Sequence, residues 1–339
     1  RRQFIVSMIP KRGEIGSDNK APIDRSIGGT RRRLLSPNPD GQTVWPSFSS
    51  RFCAKEVCGG GGGGWLWLCS LHYAVVALGT PNVTFLVALD TGSDLFWVPC
   101  DCLKCAPLSS PEYGNLKFDV YSPRKSSTSR KVPCSSSLCD LQTECNSAAS
   151  KSCPYSIEYL SDNTSSNGVL VEDVLYLATE SGKSKITQAP ITFGCGQVQT
   201  GSFLGSAAPN GLLGLGMDSK SVPSLLASQG VAANSFSMCF GEDGHGRINF
   251  GDTGSADQLE TPLNIYKHNP YYNISIIGAM AGGKTFSTKF SAVVDSGTSF
   301  TALSDPMYTE ITSAVSRFPT LYKWFHNVFI FTVIFIYIH

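Results

Sequence analysis

The chain has 339 residues, which is long enough for two domains, and it carries 27 lysine and arginine residues against 26 aspartate and glutamate residues. This balance gives no reason to expect a nucleic-acid or other strongly charged partner. Its 33 glycines and 19 prolines, among many short apolar runs, predict an all-β architecture rich in turns.

Residues 1–70 do not have the pattern of a folded domain. They contain the basic run Arg31–Arg33 and the pure glycine tract Gly59–Gly64. No apolar core of a signal peptide is visible, and the apolar stretch Trp65–Leu68 is far too short to span a membrane. We interpret 1–70 as a disordered pro-segment or a mispredicted exon.

Two copies of one motif follow strand-like apolar runs. Phe85–Leu89 leads into Asp90-Thr91-Gly92-Ser93, and Ala292–Val294 leads into Asp295-Ser296-Gly297-Thr298. A carboxylate at the end of a buried strand costs several kcal/mol unless it is paired or hydrogen-bonded. If the two turns face each other, their carboxyl groups can hold one water molecule between them, which is the arrangement for acid–base hydrolysis of a peptide bond.

A third triplet, Asp252-Thr253-Gly254, has a different context. It follows Gly251 and precedes small polar residues, so nothing local would bury it. We expect a surface turn without a catalytic role.

Nine of the twelve cysteines lie between Cys100 and Cys239. The cluster Cys100-Asp101-Cys102-Leu103-Lys104-Cys105 is compatible with a metal knuckle, but no histidine is near it, and dispersed cysteines among serine-rich turns favour a disulfide framework. No metal site is therefore predicted. Because nine is odd, at least one of these cysteines lacks a partner within the set. An oxidising compartment is expected, as three glycosylation sequons also indicate: Asn82-Val83-Thr84, Asn163-Thr164-Ser165 and Asn273-Ile274-Ser275.

Two strand-like runs, 153–159 and 168–177, predict a hairpin with a polar tip at 160–167. Helical patterns are scarce. One helix is predicted to open near Pro223 and to stop at Gly230, and a second to begin with Asp305 as its cap and Pro306 in its first turn.

The paired motifs resemble those of the pepsin-like aspartic proteases, and the cysteine-rich insertion resembles the plant, nepenthesin-type branch of that family. The resemblance covers roughly residues 72–309. Its other segments are Cys153–Tyr159, Phe193–Gly196, Asn210–Gly216 and Phe236–Phe240.

The resemblance implies a bilobal all-β fold with the active-site cleft between two β lobes. It implies Asp90 and Asp295 as the catalytic pair. Their supporting loop residues would be Thr91, Gly92, Ser93, Ser296, Gly297 and Thr298. It also implies that the hairpin is a flap over the substrate, with Tyr159 near its tip and Trp97 supporting that tyrosine. Trp97 is equally well explained as a core aromatic residue.

The same resemblance sets the expected domain boundaries. Residues 71–255 would form the N-terminal catalytic lobe, with a cysteine-rich insertion at 100–153 and the flap at 155–177. Residues 256–320 would form a partial C-terminal lobe, and 321–339 an apolar tail.

The second lobe is expected to be incomplete. The first lobe has an apolar-apolar-glycine run, Leu212-Leu213-Gly214, behind its aspartate loop, whereas no such run follows Asp295. The nearly continuous apolar stretch Val328–Ile338 is too short for a membrane helix. Three interpretations remain open for it: an improper tail from a mistaken gene model, a membrane-associating segment, or a buried strand.

The predicted function is that of an aspartic endopeptidase with an acidic optimum, acting on polypeptides as a monomer without a cofactor. The activity of a chain with an incomplete second lobe is in doubt. The alternative is a non-catalytic binding or inhibitor protein on the same fold. The secretory pathway is the expected location, with membrane association left open.

Overall fold

The computed structural model describes residues 71–110, 116–141, 145, 152–161, 163–179, 186–205, 207–240, 245–255, 258–266, 270–281, 283–298 and 301–316, together with four short strands, Phe4–Met8, Val44–Trp45, Ser47–Ser49 and Phe335–Ile338. The four short strands are β1, β2, β3 and β16. Strands predominate in the described part of the chain, where two α-helices accompany them. The predicted all-β fold is confirmed.

The hairpin of β4 (Tyr73–Leu78) and β5 (Val83–Asp90) delivers the first aspartate. The six residues from Phe85 to Asp90 are all buried, as expected of a strand covered on both faces. Strand β5 is an interior strand of its sheet and ends at Asp90.

Strand β6 (Trp97–Lys104) follows the first aspartate loop, and β11 (Leu212–Gly214) lies parallel to β5. In this register Leu213 faces Leu89 and Gly214 faces Asp90. A side chain at 214 would overlap the Asp94 carbonyl, so only glycine allows β11 to lie this close to the first aspartate loop. The predicted apolar-apolar-glycine strand therefore closes the sheet behind the first loop.

The same sheet contains a long antiparallel hairpin. Strand β8 (Pro154–Glu158) pairs with β9 (Ser165–Thr179), from the pair Pro154 and Val169 to the pair Glu158 and Ser165. This confirms the predicted hairpin, hereafter the flap hairpin, although its tip is shorter than expected because β9 already begins at Ser165. Strand β9 also pairs with β10 (Ile186–Gln199) and with β7 (Arg130–Lys131).

The first sheet has thirteen strands, and its main path also includes β12 (Phe236–Phe240) and β13 (His245–Phe250). The order along that path is β1-β12-β13-β2-β9-β10-β6-β11-β5-β4-β3. Its main core is aliphatic and aromatic, and the largest fully buried side chains in it include Phe85, Phe96, Phe193, Phe236 and Phe250.

A second, three-stranded sheet contains β15 (Lys284–Val293), β14 (Asn273–Ala281) and β16, in that order. Helix α2 (Met307–Ser316) covers part of it through Met307, Ile311 and Ala314, which pack with Phe286. Asp295 follows just after the end of β15, so this sheet delivers the second aspartate.

Both predicted helices are present. Helix α1 (Val222–Ser228) is capped by the Ser221 side chain, which accepts from the Ser224 N–H, and the chain turns away at Gly230 with a positive φ. At the start of α2, the Asp305 carboxylate accepts from the N–H of Thr309. Local capping signals therefore sufficed to place both helices.

The ends of the chain partly differ from expectation. Three stretches of 1–70 are strands β1, β2 and β3 of the first sheet, whereas the sequence predicted no folded structure there. Of the apolar tail, Phe335–Ile338 pairs with β14 as strand β16. The other residues of both segments lie outside the described part. Among the described helices, none is long and apolar enough to cross a membrane.

Four disulfides link the described cysteines: Cys100–Cys195, Cys102–Cys105, Cys134–Cys145 and Cys139–Cys153. The predicted disulfide framework is confirmed. Cys239 has no disulfide partner within the described residues. The remaining three cysteines, Cys53, Cys58 and Cys69, lie outside that part of the chain.

We expect the disulfides to differ in their effect on stability. Cys100–Cys195 closes a segment of 95 residues and Cys102–Cys105 one of only 3. Since the chain-entropy contribution grows with loop length, the double variant C100A/C195A should lose roughly 4.7 kcal/mol of unfolding free energy and C102A/C105A about 1.6 kcal/mol. Guanidinium unfolding of both variants measures this, and equal losses would contradict it.

Candidate active site

The first aspartate loop fixes its carboxylate with its own residues. Asp90 is only 4% exposed. The Gly92 N–H donates to Asp90 Oδ1 at 2.9 Å, and the Ser93 hydroxyl donates to Oδ2. Each carboxylate oxygen therefore has a donor supplied by the turn.

The second aspartate loop repeats this pattern. The Gly297 N–H donates to Asp295 Oδ1 at 2.8 Å, and the Thr298 hydroxyl donates to Oδ2. Asp295 is half-buried and is thus more accessible than Asp90. The two motifs recognised in the sequence therefore fold into matching turns.

The two loops face each other with their carboxyl groups in contact. The Asp90 carboxyl lies within hydrogen-bonding reach of the Asp295 carboxyl. A Cβ placed on Gly92 would lie 2.6 Å from the Asp295 carboxyl group, and one on Gly297 would overlap the Asp90 carboxylate. Glycine is therefore required in both turns because any side chain would fill the space of the opposite carboxylate.

Thr91 and Ser296 lock the loops together by reciprocal hydrogen bonds. The Thr91 N–H donates to Ser296 Oγ at 3.1 Å, and the Ser296 N–H donates to Thr91 Oγ1 at 2.9 Å. Each hydroxyl also donates to the strand before the opposite aspartate, Thr91 Oγ1 to the Val294 carbonyl and Ser296 Oγ to the Leu89 carbonyl, both at 2.8 Å. The lock is nearly two-fold symmetric and sets the distance between the carboxyl groups.

Burial and the charge of Asp295 together raise the pKa of Asp90 far above its usual range, to about 7. The hydrogen bonds from Ser93 and Gly92 oppose this shift because they favour the ionised form. A carboxyl group that shares its site with a second carboxyl holds a proton that an isolated one would release, and the paired aspartates of aspartic proteases are the familiar example of this effect. Below neutrality the pair can therefore hold one proton.

The tip of the flap hairpin brings Tyr159 close to Asp90 and Ser93. Trp97 Nε1–H donates to the Tyr159 hydroxyl at 2.9 Å, and Trp97 is also fully buried, so it combines the two roles considered for it. Burial and the nearby Asp90 carboxylate raise the pKa of Tyr159, which keeps its hydroxyl protonated. The structure thus brings together every residue predicted for the site.

Two further residues that the sequence did not point to support this arrangement. Phe203 packs against both Trp97 and Tyr159, with ring centroids 5.0 and 4.9 Å away. The buried Tyr272 donates its hydroxyl to the Leu215 carbonyl at 2.8 Å, and its own carbonyl accepts from the Val294 N–H at 2.9 Å. Tyr272 thereby connects the strand behind the first loop to the approach of the second. Neither residue lies in a recognisable motif.

The expectation of a surface turn at Asp252 was wrong for its aspartate. Asp252 is buried, and its carboxylate accepts from the Ser237 hydroxyl at 2.5 Å and from the Gly254 N–H at 2.8 Å. Ser237 comes from the neighbouring strand β12, so a non-local hydroxyl group hydrogen-bonds the buried carboxyl group. Thr253 is exposed, as expected.

The cysteine cluster considered for zinc is not arranged to bind a metal, because Cys102 and Cys105 are disulfide-bonded to each other and Cys100 to Cys195. No group of three or more His, Cys, Asp or Glu side chains that could hold a metal ion occurs among the described residues.

Comparison with known proteins places these features in context. The family model described as "Xylanase inhibitor N-terminal" matches residues 72–252. Aspartyl protease family protein 1 of Arabidopsis thaliana is 59% identical over 245 residues, covering 72% of this chain and 48% of that protein. Aspartic proteinase-like protein 1 of Arabidopsis thaliana is 41% identical, and the match covers 85% of this chain and 54% of that protein. Aspartic proteinase nepenthesin-2 of Nepenthes gracilis is 31% identical, and the match covers 70% of this chain and 54% of that protein. The chain spans about half the length of these relatives.

Similar folds occur among solved structures. Basic 7S globulin from soybean matches with a TM-score of 0.57 and 20% identity, covering 81% of this chain and 68% of that one. Conglutin gamma, a basic 7S globulin from lupine seeds, matches with a TM-score of 0.56 and 20% identity, covering 83% of this chain and 70% of that one. At this identity the likeness concerns the fold alone.

The lock between the loops can be tested at Ser296. Ser296→Ala removes the acceptor of the Thr91 N–H and the donor to the Leu89 carbonyl, so it should cost about 1–3 kcal/mol of unfolding free energy. Chemical unfolding measures the loss. Ser296→Thr keeps the hydroxyl and should retain most of the stability. If the alanine variant is as stable as the threonine variant, the hydrogen bonds are not what holds the loops together.

Proposed function

The chain belongs to the pepsin-like aspartic protease family, and from the geometry of its two loops we propose that it hydrolyses peptide bonds as an aspartic endopeptidase. The observation that carries the proposal is the contact between the Asp90 and Asp295 carboxyl groups. Polypeptides are the proposed substrates, and no cofactor is needed for this chemistry.

In the proposed reaction a water molecule bound between the carboxyl groups attacks the scissile carbonyl carbon. The ionised carboxylate takes a proton from this water, and the protonated carboxyl donates to the carbonyl oxygen. The resulting tetrahedral diol collapses when the carboxyl group that took the water proton donates it to the leaving nitrogen and the other carboxylate takes the proton of one diol hydroxyl. The C–N bond then breaks, and the two carboxyl groups return to their starting state. Because the proton belongs to the pair, neither aspartate is assigned a fixed role as acid or base.

The surrounding residues serve this reaction by holding the two carboxyl groups in place. The turn donors Gly92, Ser93, Gly297 and Thr298 orient the carboxylates before substrate arrives, which lowers the cost of reorganisation. The flap hairpin carries Tyr159 next to Asp90, and in the proposed reaction it would close over a bound substrate and shield it from water.

A second candidate is a non-catalytic binding protein, since the family model that matches carries the name of an inhibitor. The retained pair of aspartates with complete turn donors favours hydrolysis, because binding a partner protein does not require two carboxyl groups in contact. Activity therefore separates the two candidates.

Digestion of acid-denatured globin tests the proposal. The chain should release peptides at acidic pH, and pepstatin should block the release. Asp90→Asn and Asp295→Asn should each lower the rate by about 10²–10⁴-fold, because one partner can no longer exchange a proton. Asp119→Asn, at an exposed aspartate outside both loops, serves as the matched control. A folded wild-type chain without activity would leave the binding candidate.

The pH dependence follows from the raised pKa of Asp90. Below about 7 the Asp90 carboxyl is protonated and can donate its proton, whereas above that pH the proton is lost. Cleavage of a synthetic peptide should therefore fall as the pH rises through neutrality. A rate that stays constant up to pH of about 9 would contradict a shared proton.

A further inference from the structure

The three sequons lie in different environments. Asn273 lies within strand β14, Asn82 in the turn between β4 and β5, and Asn163 at the tip of the flap hairpin. An N-linked glycan is bulky and needs its asparagine side chain in solvent. The fold therefore distinguishes sequons that the sequence alone could not rank.

Asn273 is not available for a glycan in the folded chain. It is only 9% exposed, and its side-chain oxygen accepts from Asn264 Nδ2 at 2.9 Å. Its backbone N–H and carbonyl are also engaged, with the Tyr271 carbonyl and the Asn264 N–H. A sugar attached here would have to displace this packing.

Asn82, in contrast to Asn273, is accessible for a glycan. It is exposed in the turn between two paired strands, and Thr84, the hydroxyl residue of its sequon, is exposed as well. A glycan at this position can extend into solvent without disturbing β4 or β5.

Asn163 is exposed and has a φ of 52°, a left-handed conformation that asparagine tolerates better than most residues. The backbone around it is held firmly. Its carbonyl accepts from Thr200 Oγ1 at 2.5 Å, and the next residue, Thr164, accepts at Oγ1 from the Ser202 N–H at 3.0 Å. The Thr164 carbonyl accepts from the Tyr159 N–H at 2.9 Å. A glycan at Asn163 would therefore be attached to a turn that is held by hydrogen bonds and that also carries Tyr159.

The disulfides provide the link to glycosylation. Four of them among the described residues indicate folding in an oxidising compartment, which in eukaryotes is also where asparagine is glycosylated. In that step the amide nitrogen attacks the anomeric carbon of a lipid-linked oligosaccharide. An N–C bond forms, the C–O bond to the pyrophosphate breaks, and lipid pyrophosphate and the amide proton leave.

We propose that the mature chain carries N-linked glycans at Asn82 and Asn163 and none at Asn273, and that the glycan at Asn163 selects substrates. The second part rests on the proposed function. A glycan on the tip of the flap hairpin narrows the approach to the aspartate pair for a folded protein, whereas a flexible polypeptide can pass beneath it. The selected substrates are therefore unfolded or short chains.

Occupancy is measured on protein secreted from plant or insect cells. Peptide-N-glycosidase in heavy-oxygen water converts each glycosylated asparagine to a mass-labelled aspartate, which peptide mass spectrometry locates. Labels are expected at 82 and 163. A label at 273 in folded protein, or an unlabelled 163, would overturn the assignment. Asn82→Gln and Asn163→Asp should each remove one glycan from the intact mass, and Asn273→Gln should remove none.

Substrate selection is measured with Asn163→Asp, which removes the glycan and keeps a residue that tolerates the left-handed conformation. The ratio of its rate on a folded protein to its rate on a short peptide should be several-fold higher than the same ratio for the wild type. Asn82→Gln, which removes the other glycan, should leave this ratio unchanged. Equal ratios for the wild type and Asn163→Asp would refute the selection. If all forms are inactive on both substrates, the proposed function fails, and the mass labels still decide the glycosylation sites.

Discussion

The contact between the buried Asp90 carboxyl group and the half-buried Asp295 carboxyl group is the constraint on which the rest of the structure depends. Two negative charges at this separation repel each other strongly, and burial removes the water that would screen them. The fold meets this cost with turn donors to each carboxylate and with a proton held between them. Positions 92 and 297 require glycine because any side chain there would occupy the space of the opposite carboxylate.

The two loops are supported differently although their turns match. Behind the first loop, strand β11 pairs with β5, and the Leu215 N–H donates to the Asp90 carbonyl at 2.8 Å. The second loop is held through Tyr272, whose carbonyl accepts from the Val294 N–H, and through the lock between Thr91 and Ser296. Val293, just before this loop, is 46% exposed. The reciprocal hydrogen bonds between Thr91 and Ser296 therefore hold the second loop against the first.

Local signals in the sequence were enough for the turns, the flap hairpin and both helices, because the residues that decide those features are close neighbours. Ser221 and Gly230 bound α1, and each aspartate loop carries its own donors. The buried state of Asp252 was missed because its partner, Ser237, belongs to another strand. Tyr272 and Phe203 were missed for a related reason, since their roles depend on contacts between distant segments. The catalytic role of Asp90 and Asp295 stays a prediction.

Carbon-13 NMR of aspartate carboxyl groups tests the central claim, a proton shared between the two aspartates, most directly. In the full chain, with assignments from single Asp→Asn variants, the Asp90 carboxyl should titrate near neutrality, and its midpoint should fall toward the ordinary range in Asp295→Asn, where the neighbouring charge is absent. If instead Asp90 titrates at the same pH in both proteins, the two carboxyl groups are not coupled, and the account of the site is wrong.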